Sequence, residues 1–409
     1  MVVFHKKSLH FFWILSIKKA FAVFMLTIDF WLETCYNKRR TQKKKGGCLY
    51  MCERTEVTAY RAPLANIINP LCLWYEEVKK PLPWRLTNDP YHIWLSEIML
   101  QQTRIEAVIP YFQRFLSLLP TVEALASCPD DLLMKLWEGL GYYSRARNLK
   151  KAAVMICQNF NGSLPTEAQA LRSLPGIGEY TAGAIASIAF GKPEPAVDGN
   201  VLRVMARIAG ISDDISLPAT KKKVRAALTD IYPSGERAAS LTEGLMELGE
   251  TVCIPNGQPR CDACPLRDLC TAYHTDQTET LPKRSAKKPR KDLDYTVFLL
   301  VCDGKIALRK RPKEGLLGGL WEFPNTEGHL TGDDAKQFVR RHQSEPMSCV
   351  SCGSATHIFT HLNWNMIGYR IVCDFPSEAF LWVTPEELAN GYAIPTAFRY
   401  YKKVALSPF

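Results

Sequence analysis

A chain of 409 residues, 47% hydrophobic and 22% charged, is long enough for two or three domains with real cores. Its fourteen cysteines, four of them clustered at positions 253 to 270, exclude a small disulfide scaffold and read as a metal site in a reducing compartment. The formal net charge of +10 does not establish a nucleic-acid partner: residues 38–45 and 283–291 each hold six Lys or Arg and no acid, and without those twelve charges the chain nets about −2, so any basic face must come from local arrangement.

Residues 1–58 read as an N-terminal extension. Its apolar stretches, Phe11 to Ile17 and Ala20 to Phe30, are broken by Lys18, Lys19 and Asp29, and neither spans a bilayer. A cleaved signal, a membrane anchor and a spurious upstream start all fit; the last is preferred, with Met51 as the alternative start.

Residues 59–274 carry a helical pattern throughout, as in Ile105, Val108, Ile109, Phe112, Phe115, Leu116 and Leu119. In Trp94-Leu-Ser-Glu-Ile-Met-Leu-Gln-Gln-Thr103 that spacing brings Glu97 onto a largely apolar face. A carboxyl buried there has its pKa raised and can act as a general acid; a partly buried glutamate in a salt bridge fits the same pattern.

Leu174-Pro-Gly-Ile-Gly178 lies between two helical stretches, Glu167 to Leu174 and Tyr180 to Phe190. Its glycines permit a tight turn that lets backbone N–H groups approach a phosphate, although an ordinary interhelical turn fits these five residues as well. Twenty-two residues after Gly176, Asp198 precedes the periodic segment Val201, Val204, Met205 and Ile208. It is an N-cap candidate, and an aspartate at a helix N-terminus also stays ionised, as stabilisation of a sugar oxocarbenium ion requires.

Cys253, Cys261, Cys264 and Cys270 are spaced Cys-x7-Cys-x2-Cys-x5-Cys, and four thiolates suit zinc or a [4Fe–4S] cluster equally. Cys349 and Cys352 form a lone pair with no second pair to complete a site.

Residues 275–294 are polar and basic, a linker. Beyond it, residues 295–409 read as a separate α+β domain, with strands at Tyr295 to Cys302, Lys305 to Arg309 and Gly368 to Cys373 and a helix around Asp333 to His342. The stretch Leu308 to Pro324 is similar to nucleotide pyrophosphohydrolases, but the following helix, Ala335-Lys-Gln-Phe-Val-Arg-Arg-His342, lacks the clustered carboxylates their metal needs. What remains is a fold suited to holding a modified base, with Thr360 and His361 as candidate readers.

Taken in order, these segments resemble the adenine DNA glycosylase branch of the helix-hairpin-helix superfamily over roughly residues 59–400. The resemblance implies an all-α helix-hairpin-helix catalytic region with an iron–sulfur cluster loop, followed by an α+β Nudix-like lesion-recognition domain. It makes Glu97 the acid that protonates adenine and Gln102, beside Gln101, a wedge into the base stack. Gly139-Leu-Gly-Tyr-Tyr-Ser-Arg-Ala-Arg147 matches a family segment in which Tyr142 probes the lesion pair. Leu174, Gly176 and Gly178 become DNA-backbone contacts. Asp198 becomes the anion at the sugar carbon with Asn200 beside it, and Glu243 a residue that holds adenine.

The same resemblance assigns the four cysteines to a [4Fe–4S] cluster. Seven residues between the first two, where the family commonly has six, require the loop Ile254 to Arg260 to bulge, which costs little closure entropy. Endonuclease III-like lyases carry a nucleophilic lysine where this chain has Tyr180, and a phenol forms no imine. That phenol is expected to bond the sugar or Asp198.

The implied activity is hydrolysis of the N-glycosidic bond of adenine opposite 8-oxoguanine or guanine in double-stranded DNA. A monomer is expected, with no membrane partner, in the nucleoid of a bacterium or the nucleus or mitochondria of a eukaryote. A glycosylase/lyase, a non-catalytic DNA-binding protein and a nucleotide pyrophosphohydrolase are the alternatives.

Overall fold

The computed structural model describes residues 64–286 and 289–407. The N-terminal stretch with its alternative start, Met51, and the basic run 38–45 lie outside the described residues, as do Lys287 and Lys288 of the second run.

Among the described residues no strand occurs before Lys291. The helix Pro90–Leu100 starts where Asp89 accepts a hydrogen bond from the Tyr91 N–H at 2.8 Å, with Pro90 in the first turn, where its lack of an N–H costs no helical bond. From Tyr91 to Met99 every residue but His92 is buried, so this helix is an internal strut. Against it lies Glu179–Phe190, rich in Gly, Ala, Ser and Thr. At Gly183 a side chain would stand 2.4 Å from the Pro195 carbonyl oxygen, so only glycine lets the segment leading to Asp198 pass this close. Trp94, Phe115 and Trp137 are fully buried in the same apolar cluster; truncating Trp137 to alanine would cost about 3–5 kcal/mol.

The C-terminal region is a seven-stranded sheet in the order β3-β2-β1-β6-β5, with β4 also paired to β1 and β7 to β2. The strands are β1 Lys291–Cys302, β2 Lys305–Lys310, β3 Trp321–Glu322, β4 Asn325–Glu327, β5 Pro346–Ile358, β6 Leu362–Cys373 and β7 Leu381–Val383. Successive β1 residues serve opposite faces: Val297 and Leu299 pack with Phe398 and Tyr401 on one, Phe298 and Leu300 with Ala335 and Val339 on the other. The expected helix is Gly332–Arg341; its acids are engaged locally, Asp334 in a capping box with Thr331 and Asp333 with Lys336. β5 was not expected, and it carries Cys349 and Cys352 at the sheet edge.

The described residues hold together as one unit, with the sheet docked on the helices. Leu320 and Ala393 join the apolar cluster of Trp94 and Trp137. The Glu138 carboxylate, from the helical side, accepts from Lys402 Nζ at 2.8 Å and the Ile394 N–H at 3.1 Å. The connecting segment is also bound rather than a free tether. Leu281 is buried, its carbonyl accepts from Arg207 Nε at 2.9 Å, the Lys283 carbonyl accepts from the Ile215 N–H at 3.1 Å, and β1 begins at Lys291, inside the expected linker.

Candidate active site and nucleic-acid interface

A cleft of about 400 Å³ opens between the helices Pro90–Leu100, Glu179–Phe190 and Glu236–Thr251. Glu97, Tyr180, Asp198, Asn200 and Glu243, scattered over nearly 150 positions, all line it. Glu97 is only 7% exposed, and its Oε2 accepts a hydrogen bond from the Tyr180 hydroxyl at 2.9 Å. Burial pushes the Glu97 carboxyl up to about 7 against the opposing Tyr180 bond, and the neighbouring Glu243 and Asp198 carboxylates add to the rise. Tyr180 itself is held well above its ordinary range by burial and remains a neutral donor. Of the two partners the sequence suggested, the sugar or Asp198, the second is not met: the phenol bonds the Glu97 carboxyl.

Asp198 caps the helix Gly199–Ile208, its Oδ1 accepting from the Val201 N–H at 2.7 Å. Burial raises its pKa too, while the Val201 and Asn200 N–H groups and the Arg203 charge pull it down. Capping and facing the cleft are thus compatible, and the large displacement toward neutrality belongs to Glu97. The Asn200 side-chain Oδ1 accepts from Arg203 Nη2 at 2.9 Å, which fixes the amide where it lines the cleft.

Glu243 stands 3.5 Å from Arg85 Nε, and burial raises its pKa against that charge. Arg85 went unnoticed in the sequence. It also pairs with buried Glu247 at 3.0 Å, and the signal for it was only the tryptophan before it, with no spacing to suggest a partner some 160 residues away.

The hairpin turn forms as expected. Leu174 is buried, Gly176 has φ +80 with no room for a side chain beside Asn148, and Gly178 caps the helix Glu179–Phe190 in an extended conformation with open space around it. Open space at Gly178 leaves the N–H groups at this helix N-terminus approachable. Gln102, at φ +60, projects from the surface, whereas Gln101 turns its amide inward to Thr181 Oγ1 at 3.3 Å because a buried hydroxyl is there to receive it. Tyr142, at φ +48 and 45% exposed, faces the sheet, its hydroxyl 2.9 Å from that of Thr360. Thr360 and His361 form the tip of the β5–β6 hairpin, and with Tyr142, Arg147 and His357 they line a second cavity of about 380 Å³.

Cys253, Cys261, Cys264 and Cys270 line a single apolar-walled cavity with Val204, Leu248 and Val252. Arg207 donates to Cys253 Sγ at 3.2 Å and to the Ile254 carbonyl at 3.0 Å. The seven-residue loop is closed by the Arg260 N–H on the Val252 carbonyl at 3.0 Å, with Gly257 at φ +76 taking the turn. Among the described residues no three His, Cys, Asp or Glu side chains converge on one ion-sized point. Four thiols around a shared cavity beside a cation fit an anionic group bound at several corners.

Residues 95–234 match the family model described as HhH-GPD superfamily base excision DNA repair protein, and residues 296–403 match a NUDIX domain. An adenine DNA glycosylase of Rattus norvegicus is 32% identical over 85% of this chain and 79% of its own length, and that of Homo sapiens 31% identical over 85% and 74%. A solved thermostable thymine-DNA glycosylase aligns with 51% of this chain and 95% of its own at 28% identity and a TM-score of 0.47.

Proposed function

The chain belongs to the adenine DNA glycosylase family of base excision repair, and from that premise we propose that its substrate is duplex DNA in which adenine lies opposite 8-oxoguanine or guanine. The observation that carries the chemistry is the pairing in one cleft of Glu97, pushed up to about 7, with Asp198 on a helix N-terminus.

A base inside the stack hides its glycosidic bond, so the adenine is flipped into the cleft at a cost of a few kcal/mol, least at a mispair. Arg85 and Glu243, which line the same cleft, offer a donor and an acceptor to its edge. Protonated Glu97 gives its proton to a ring nitrogen as the C1′–N bond breaks and the electron pair leaves with adenine. Asp198 stabilises the oxocarbenium ion left on the sugar. Water adds to C1′ and its proton returns to Glu97, leaving an abasic site. Tyr180 bonds Glu97 and supplies no amine, so the strand is not cut.

On the opposite strand Gln102 wedges the stack, while Tyr142, Thr360 and His361 meet the lesion; the cavity they share supports this assignment. Leu174, Gly176 and Gly178 shape the turn that contacts the backbone. The four cysteines would hold a [4Fe–4S] cluster, whose ligands attach at separate corners, whereas the ligands of one zinc converge at about 2.3 Å. Bound there, the cluster supplies a structural clamp on residues 253–270. The test is single-turnover incubation with end-labelled duplex containing adenine opposite 8-oxoguanine, followed by alkali. Cleavage at adenine is expected; an uncut strand overturns the reading.

A further inference from the structure

Arg145 lies in the first turn of the helix Ser144–Asn159 and is only 8% exposed. A cation at a helix N-terminus is unfavourably placed, so something else must hold it. Its guanidinium donates in two directions. Nη1 reaches the carbonyls of Ile98 at 2.8 Å, Met99 at 3.0 Å and Gln101 at 2.7 Å, which the end of the Glu97 helix leaves without partners. Nη2 reaches the carbonyls of Leu140 at 3.1 Å and Gly141 at 3.2 Å.

The carbonyls of Gln101 and Gly141 stand immediately before Gln102 and Tyr142. Both of those residues adopt positive φ, +60 and +48, a conformation that carries a cost for any residue with a side chain and persists only where the surroundings enforce it. Both are exposed. The Arg145 guanidinium also lies 5.5 Å from the centre of the Tyr142 ring and 5.4 Å from that of Trp137, which anchors it to the core.

We infer that Arg145 is the positioning residue for lesion recognition: one rigid guanidinium holds the carbonyl before Gln102 and the carbonyl before Tyr142, and so sets the spacing between the two side chains. This rests on the reading above that Gln102 and Tyr142 meet the DNA. A planar fork is needed for the task, because a lysine ammonium is a point charge that cannot hold both sets of carbonyls at fixed separation.

The test uses the full chain and single-turnover excision of adenine opposite 8-oxoguanine and opposite guanine, with thermal melting as a check on folding. Arg145→Lys should lower the 8-oxoguanine-over-guanine ratio about tenfold, the ordinary size of coupling between touching residues. In a Gln102→Ala/Tyr142→Ala background the same substitution should change the ratio little. A wild-type ratio in Arg145→Lys overturns the inference, and so does its full effect in the double-alanine background, which would make Arg145 a general brace. A wild-type ratio in the double-alanine protein alone overturns the underlying reading, and the inference with it. Should Arg145→Lys not melt cooperatively, Gly141→Ala carries the test. It strains a backbone at φ +72 in open space and moves one held carbonyl without touching the guanidinium. A lowered ratio there supports the inference, and an unchanged one overturns it.

Discussion

The hydroxyl oxygens of Tyr142 and Thr360 stand 2.9 Å apart although 218 positions separate them in the chain. The pair joins the turn before the helix Ser144–Asn159 to the tip of the β5–β6 hairpin, so residues from the helical and sheet regions meet on one cavity. Replacing Thr360 with alanine should reduce the preference for 8-oxoguanine over guanine about 3–10-fold, the range of one lost hydrogen bond, with less effect on excision opposite guanine. Single-turnover rates on both mispairs check this, and an unchanged ratio would remove Thr360 from lesion reading.

Glu97→Gln keeps size and removes the proton donor. It should lower the single-turnover rate about 10²–10⁴-fold while binding to the lesion duplex persists. A rate near that of the wild type would assign the acid to another group.

The pH dependence follows from the same carboxyl. Its folded value, about 7, lies above the ordinary carboxylate range, so the proton donor is present below that value and the rate should fall as pH rises through it. The sign for stability is the same. The neutral carboxyl's contribution is fully present at pH values below the ordinary range and is lost on rising through about 7. Because the Tyr180 bond holds the value down, Tyr180→Phe should move the alkaline limb of the rate profile upward; a downward move would contradict the geometry.

Glu138 accepts from Lys135 at 2.6 Å as well as from Lys402 and the Ile394 N–H, and Lys135 in turn donates to the Ala389 carbonyl at 2.7 Å. Glu138→Ala leaves two largely buried ammonium groups without their anion and should cost about 1–3 kcal/mol. The urea midpoint should fall with little change in slope, and lesion preference should weaken as the sheet loosens from the helices. An unaltered midpoint would show that apolar contacts at Leu320 and Ala393 carry the docking alone.

Purified protein should be brown and carry about four irons per chain, the content of a [4Fe–4S] cluster. Stoichiometric zinc without iron in anaerobically prepared protein would overturn the cluster assignment.

Features governed by near neighbours were legible in the sequence alone. The Asp198 cap, the Gly176 turn, the cysteine spacing and the β-rich apolar run of β1 all arise from residues a few positions apart, where helical period, strand propensity and capping chemistry act directly. The thirteen-residue strand β5 was not legible because it is a polar edge strand with a register shift between Ser351 and Gly353, which breaks the period-two pattern. The roles of Arg85 and Arg145 were decided only by tertiary structure, since a guanidinium recruits carboxylates or carbonyls from any distance along the chain and leaves no periodic trace. The same holds for the Glu97–Tyr180 bond, across 83 positions, and for the docking of the linker that composition read as a solvated tether. An apolar pattern around Glu97 marked it as a carboxyl that burial would perturb. How far its pKa rises is set by the desolvation and the neighbouring charges that only the assembled cleft provides.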